Sequence, residues 1–159
     1  MLIFDASSII YAWDNYPPDI FPPLWKWLAK QVSTNQITMS AVALDEVQHI
    51  SPDCAQWLKD NDIERHAITN EILQESMRIK ALLGIVNDRY GIGVGENDVF
   101  IISTALLLGV DLVSEEARQQ GLPKVLANYK IPAVCNMQDV GVDCINFLDY
   151  IKSSGVVFR

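Results

Sequence analysis

Asp5, Glu46, Asp98 and Glu116 are the residues of this sequence whose types and settings could do chemistry. Asp5 ends the apolar run Met1-Leu-Ile-Phe4, and Glu46 stands about two turns into a helical pattern that begins at Ser40. Asp98 opens the apolar stretch 99–108, and Glu116 lies just beyond the apolar stretch 110–113. None has a predictable basic partner in sequence. Carboxylates gathered without Lys or Arg repel one another unless a proton or cation intervenes, and hard oxygen ligands of this kind suit Mg²⁺ or Mn²⁺. A plainer use competes with this one, because an acid after a strand also serves as a helix cap or as a partner of the helix dipole. Asp5 is the most informative of the four, since a carboxylate at the end of a buried strand is costly to desolvate unless it caps or ligates.

The elements that must position these acids follow from periodicity. Residues 1–4 read as a buried strand, and Ala6-Ser7-Ser8 then lead into the apolar helical pattern 9–13. Pro17, Pro18, Pro22 and Pro23 punctuate a connection to a helix over 24–32. A β-branched stretch over 36–40 gives a second strand, followed by the helix that carries Glu46. Pro52 opens a short helix ended by Asp60-Asn61-Asp62. A strand over 63–68 follows, then a long helix over 70–90 and a loop at Gly91, Gly93 and Gly95. The helix over 99–108 is almost wholly apolar and must be buried on most sides. Beyond it the pattern predicts a strand over 110–113, a helix over 116–127, a strand over 131–135 and a closing helix over 139–154. Such alternation predicts an α/β three-layer sandwich with a mostly parallel central sheet, in a single domain over 1–159.

In an open parallel sheet, ligands bind outside the carboxyl ends of the strands, where Asp5, Glu46, Asp98 and Glu116 are expected. The 159 residues are half apolar and a fifth charged, which excludes disorder and collagen-like repeats. Twelve Lys and Arg against twenty Asp and Glu give a net charge of −8, which works against a polyanionic partner. Three cysteines and the lack of a secretory leader pattern argue against a disulfide framework and for a reducing cytoplasm. The apolar runs are far shorter than the roughly 20 residues of a spanning helix, so no membrane role is expected.

Four blocks resemble the PIN-domain ribonucleases. Ile3-Phe4-Asp5-Ala6-Ser7 looks like the opening of that family, whose first strand runs into Asp-x-Ser or Asp-x-Asn. Ser40-Ala-Val-Ala-Leu-Asp45-Glu46-Val47 is similar to the second block, with Glu46 on the inward Glu. Asn97-Asp98-Val-Phe-Ile-Ile-Ser-Thr-Ala105 is similar to the third, where an Asp opens a buried helix. Asp111-Leu-Val113-Ser114-Glu115-Glu116 looks like the fourth, a strand followed by Val-Thr-x-Asp. This puts Ser114 on the Thr and Glu116 on the Asp, a departure in which Glu115 is a competing assignment. The blocks fall in family order, and the tail from Lys130 to Cys135 with Gly141-Val142 resembles a bacterial toxin-antitoxin-type branch similar to VapC toxins.

The resemblance implies a Rossmann-like PIN fold and hydrolysis of RNA phosphodiesters by a divalent-metal-dependent endoribonuclease, the toxin of a toxin-antitoxin pair. It implies Asp5, Asp98 and Glu116 as ligands of Mg²⁺ or Mn²⁺, and Glu46 as a ligand or water-orienting group. Ser7 and Ser114 would be supporting hydroxyls. RNA is the implied substrate, a protein antitoxin the implied partner, and a homodimer compatible with it. Two other readings stand beside it: a PIN-like binding module that no longer cleaves, and a Mg²⁺-dependent phosphohydrolase, for which no Lys stands at a suitable strand end. Arg78, Lys80, Arg89, Lys26, Lys30 and Arg118 are candidate phosphate contacts or solvated charges. The Gly91–Gly95 stretch lacks a dinucleotide-binding spacing and is expected to be a flexible loop over the site. His49 and His66 with scattered cysteines do not make a zinc set. Cys135 and Cys144 are expected in the apolar core, as are Trp13, Trp25 and Trp27 with Tyr11, or else at a partner interface.

Overall fold

A computed structural model describes residues 1–159. The chain runs β1 (Leu2–Phe4), α1 (Ala6–Asn15), α2 (Pro22–Ser33), β2 (Ile37–Ser40), α3 (Ala41–Ile50), α4 (Pro52–Asp60) and β3 (Glu64–His66). It continues through α5 (Asn70–Leu82), α6 (Glu96–Leu108), β4 (Asp111–Val113), a 3-10 turn at Leu126–Asn128, α7 (Ile131–Cys135), β5 (Cys144–Ile145) and α8 (Phe147–Ser154). The five strands form one sheet in the order β3-β2-β1-β4-β5, every pair parallel. Flanked by eight α-helices, this is the α/β sandwich expected from the sequence. No helix is long and apolar enough to cross a membrane.

Strand order explains where a site can form. From β1 the chain builds outward to β2 and β3, then returns to lay β4 on the other side of β1 and β5 beyond it. The order therefore reverses between β1 and β4, and the crevice outside their carboxyl ends is where such sheets bind ligands. The β1–β4 register pairs Phe4 with Val113, and the Asp5 amide donates to the Val113 carbonyl at 2.9 Å. Asp5 and Ser114 consequently leave the sheet side by side.

The core is one cluster of 35 buried apolar residues extending from Ile3 to Tyr150. Phe4 is fully buried, with Tyr150 and Phe147 of α8 edge-on to its ring at centroid distances of 5.1 and 6.4 Å. Helix α6 buries Val99 and Ile101 through Ala105. Its hydroxyls avoid an unpaired burial by donating one turn back, Ser103 to Val99 and Thr104 to Phe100, each at 2.7 Å. Trp25 is buried, its indole N–H donating to the Tyr16 carbonyl at 2.5 Å, with Trp13 and Trp57 edge-on to it. The tryptophans near the N-terminus are thus packing residues.

Four expectations are corrected. Helix α5 stops at Leu82, because Gly84 turns left-handed at φ +70° and Asn87 and Asp88 also have positive φ, so 83–90 is loop. The stretch 116–127 is irregular rather than helical, interrupted by Gly121 and Pro123. Ile131–Cys135 is α7, with Pro132 in the first turn where no N–H is missed, and the last strand is Cys144–Ile145. The closing helix is accordingly shorter, Phe147–Ser154.

The glycine loop is the fourth correction, since it is clamped rather than free. The Val94 amide donates to the Tyr129 carbonyl at 2.8 Å and the Ile92 amide to Asn128 Oδ1 at 3.1 Å. A Cβ on Gly93 would stand 2.1 Å from the Tyr129 carbonyl oxygen, and one on Gly91 2.2 Å from Asn128 Oδ1. Backbone cannot yield as a side-chain tip does, so Gly93→Ala is expected to destabilise the fold by about 3 kcal/mol. Thermal unfolding checks this, and a melting temperature within about 1 °C of wild type would refute the clamp.

Candidate active site at the switch of strand order

Asp5 occupies the cap position of α1 yet does not cap it: the side chain accepts no hydrogen bond from the first-turn amides that a cap serves. Its Oδ2 instead accepts from the Ser7 hydroxyl at 2.6 Å and the Ser114 hydroxyl at 3.0 Å. The two serines bind the β4 exit to this carboxylate. Ser7 Oγ accepts from the Glu115 amide at 3.0 Å, and Ser114 Oγ from the Glu116 amide at 3.1 Å. Asp5 is only 3% exposed, and no salt bridge reaches it. Burial pushes its carboxyl above the usual carboxylate range, against the opposing pull of the Ser7 and Ser114 hydroxyls. A buried acid that neither caps nor pairs is an expense the fold alone does not explain.

The other three acids reach the same place from different elements. A cleft of about 400 Å³ is lined by Asp5, Ser7, Glu46, Asp98, Glu115 and Glu116, with Ile10, Tyr11, Asp14, Asn15 and Ile50 among its walls. No Lys, Arg or His is among its lining residues. Asp98 also caps α6, accepting from the Gly95 amide at 2.9 Å, so the plainer use of this residue is realised alongside its place in the cleft. Burial raises Glu46, and the charges of Asp5, Asp98 and Glu116 raise it further. Burial likewise raises Glu116, followed by Asp98 and Asp5, with Lys130 pulling the other way. Asp98 is raised by burial and by Asp5, while its bond from Gly95 lowers it. The four carboxylates therefore sense one another's charge.

Glu115 and Glu116 take different positions. Glu115 Oε1 accepts from the Phe147 amide at 2.5 Å, satisfying the first free N–H of α8, whereas Glu116 is the one whose charge couples to Asp5 and Asp98. Asp45 and His49 are exposed on α3, outside the cleft lining. Asp14, Asn15 and Tyr11 are cleft residues that the sequence reading did not single out as site residues. The signal was present, because Ser7, Tyr11 and Asp14 follow one another at i, i+4 and i+7 on α1 and share a face.

The donor set is entirely oxygen, four carboxylates with two hydroxyls, which is the chemistry that suits Mg²⁺ or Mn²⁺. As they stand, the side chains are spread, and no three of them converge at metal-ligand spacing. Glu46 and Glu116 are half-buried and long enough to turn inward, so the residues fit a hard cation by chemistry and by reach.

The candidate phosphate contacts are mostly engaged elsewhere. Arg78 pairs with Glu75 and Lys80 with Asp88. Arg118 Nη1 donates to the carbonyls of Ser114 at 2.7 Å and Glu116 at 2.9 Å, a brace for the loop that carries Glu116. Lys26 and Lys30 border a separate groove with Trp27 and the C-terminal residues.

A family model described as a domain of unknown function, DUF4411, matches residues 2–158. No curated protein matches the chain. Among solved structures, a chain of VapBC2 from Rickettsia felis, crystallised bound to a DNA fragment from its promoter, is 16% identical with a TM-score of 0.53. The alignment covers 91% of the present chain and 97% of that one. A chain of a toxin-antitoxin complex from Klebsiella pneumoniae is 17% identical over 82% of the present chain and 100% of its own, with a TM-score of 0.49. The Rickettsia likeness shows the fold, which is the PIN-like sandwich of VapC-type proteins.

Proposed function

We propose that this chain, which belongs to the DUF4411 family, is a divalent-metal-dependent endoribonuclease acting as the toxin of a toxin-antitoxin pair. The observation that carries the reading is the convergence of Asp5, Glu46, Asp98 and Glu116, from four separate elements, on one cleft without a basic residue in its lining. Asp5, Asp98 and Glu116 would hold the cation, with Glu46 as a further ligand or as the group that orients water. A divalent cation supplies charge neutralisation at the phosphodiester and lowers the pKa of an attacking water. Ser7 and Ser114 hold Asp5 in place, and their hydroxyls tie the Glu116 loop to it. Arg118 braces the same loop from the outside.

Acidity also bears on partners. At a net charge of −8 the protein repels RNA at long range, so substrate binding depends on neutralising the cleft. The same cleft suits an antitoxin segment bearing Arg, which would occupy it by charge-assisted hydrogen bonds and exclude the cation.

The test uses structured and single-stranded RNA with Mg²⁺ or Mn²⁺ and separates the two neighbouring glutamates. Glu116→Gln is expected to lower cleavage roughly 100-fold or more. Glu115→Gln, which keeps an oxygen for the Phe147 amide, is expected to stay within about threefold of wild type. Equal cutting by wild type and Glu116→Gln would expose a contaminant. Binding of RNA without cutting under any divalent ion would replace the proposal with a PIN-like binding module.

A further inference from the structure

Behind the loop that carries Glu116, a second cleft of about 480 Å³ opens beside β5, with Arg118, Cys144, Asp111 and Asn136 in its wall. Cys144 is half-buried there, and Arg118 Nη2 points at its Sγ from 3.8 Å. Cys135, at the end of α7, is 1% exposed, and its thiol lies within hydrogen-bonding reach of Cys144. The Val142 amide donates to the Cys135 carbonyl at 3.0 Å, which fixes the end of α7 against the strand that follows. An accessible sulfur with a guanidinium on one side and a buried thiol on the other is the arrangement of a reactive cysteine with its resolving partner.

We propose that Cys144 and Cys135 are a modification site, a dithiol that a peroxide oxidises to an intramolecular disulfide, with Cys144 attacking first. The Cys144 thiolate attacks one peroxide oxygen, the O–O bond breaks, and Cys144 becomes a sulfenic acid as water leaves. Cys135 then attacks the Cys144 sulfur, and the S–S bond forms. Its proton departs with the displaced hydroxide as a second water. Two thiols are oxidised by two electrons and one peroxide is reduced to two waters.

The hydrogen bond from Cys135, and then the Arg118 charge, hold the Cys144 thiol below its ordinary value, while Cys135 is pushed up and keeps its proton. Cys54 provides an internal contrast, being fully buried, with its thiol pushed up to about 12 by burial and by Asp14. The Arg118 guanidinium that faces Cys144 also holds the Ser114 and Glu116 carbonyls, so the state of the pair bears on the acidic cleft. That consequence rests on the proposed function, whereas the covalent step does not.

The experiment treats the reduced, folded full chain with hydrogen peroxide, then alkylates and maps the thiols by mass spectrometry, without measuring cleavage. Cys135 and Cys144 are expected to disappear together, with a loss of two hydrogens, one peptide joining them and full recovery in dithiothreitol. Cys54 is expected to stay alkylatable after denaturation. Cys135→Ser should stop at a dimedone-reactive sulfenic acid on Cys144, and Arg118→Gln should slow oxidation roughly tenfold. If Cys135→Ser does not fold, the Arg118→Gln rate against wild type still decides. Oxidation of Cys144 no faster in the folded chain than in urea, or a failure of the two cysteines to join, would overturn the proposal.

Discussion

Asp5→Asn is expected to abolish divalent-dependent RNA cleavage while making the metal-free protein more stable. Asp5 is the most buried of the four cleft acids, and burial is the first cause of its raised carboxyl. An amide keeps an oxygen to accept from Ser7 and Ser114, but removes a charge that no cation in the lining offsets. Removing that uncompensated charge should stabilise the fold by about 1–2 kcal/mol. For a chain of this size each kcal/mol raises the melting temperature by about 2–4 °C. The same change deletes a ligand that helps neutralise the phosphodiester, an effect of several kcal/mol in the transition state, or roughly 10²–10⁴ in rate. Melting curves in chelator and cleavage assays on the same preparation check both halves. A variant that loses activity and stability together would make Asp5 a structural residue, and one that retains activity would remove it from the site.

Asp98→Asn separates the two roles of Asp98. Asn also accepts from a backbone amide, so the Gly95 bond at the start of α6 survives and stability should change by less than about 0.5 kcal/mol. Cleavage should nevertheless fall as for Asp5→Asn if Asp98 acts in the cleft. Unchanged cleavage would leave it as a cap only.

Asp5 and Glu116 were legible because a short buried strand is a continuous apolar run, and the residue after it is fixed by where the run stops. Leu2–Phe4 and Asp111–Val113 have that form. Their adjacency was not legible, since parallel pairing of β1 with β4 joins residues more than a hundred positions apart and no local pattern encodes it. The same long-range fact separates Glu115 from Glu116: only the arrival of α8 gives Glu115 an amide to accept, and nothing near it in sequence announces that. β5 is two residues long and carries no periodicity. The error at Ile131–Cys135 was avoidable, because Pro132 inside an apolar run argues against an interior strand and for a first helical turn. Gly121 and Pro123 argued in the same way against a helix over 116–127. The glycines at 91 and 93 were seen, but their cause, a close approach to the Ala127–Tyr129 backbone, belongs to tertiary packing.

The cleft should also invert the usual acid sensitivity of a folded protein. Asp5, Glu46, Asp98 and Glu116 all have folded-state carboxyls raised by burial, three of them also by one another's charge. Over the pH range between the unfolded and the raised folded values, the folded state binds more protons than the unfolded chain, so stability falls as pH rises. Their contribution is fully present below the ordinary values of 3.8 for the aspartates and 4.5 for the glutamates, and is lost as pH climbs through the raised ones. In chelator, the urea midpoint is therefore expected to decline between about pH 4.5 and 7, and to decline less in Asp5→Asn. Mg²⁺ or Mn²⁺ at neutral pH should reverse the loss, because a cation that binds only the folded cleft stabilises it by about 2.7 kcal/mol at a hundredfold excess over its dissociation constant. The cation should do little at low pH, where protons hold the carboxylates, and little in Asp5→Asn at any pH. A midpoint that rises with pH in chelator would show that the four acids are stabilised by partners rather than opposed to one another. A midpoint indifferent to both divalent ions would show that the cleft takes no cation, and the nuclease reading would fall with it.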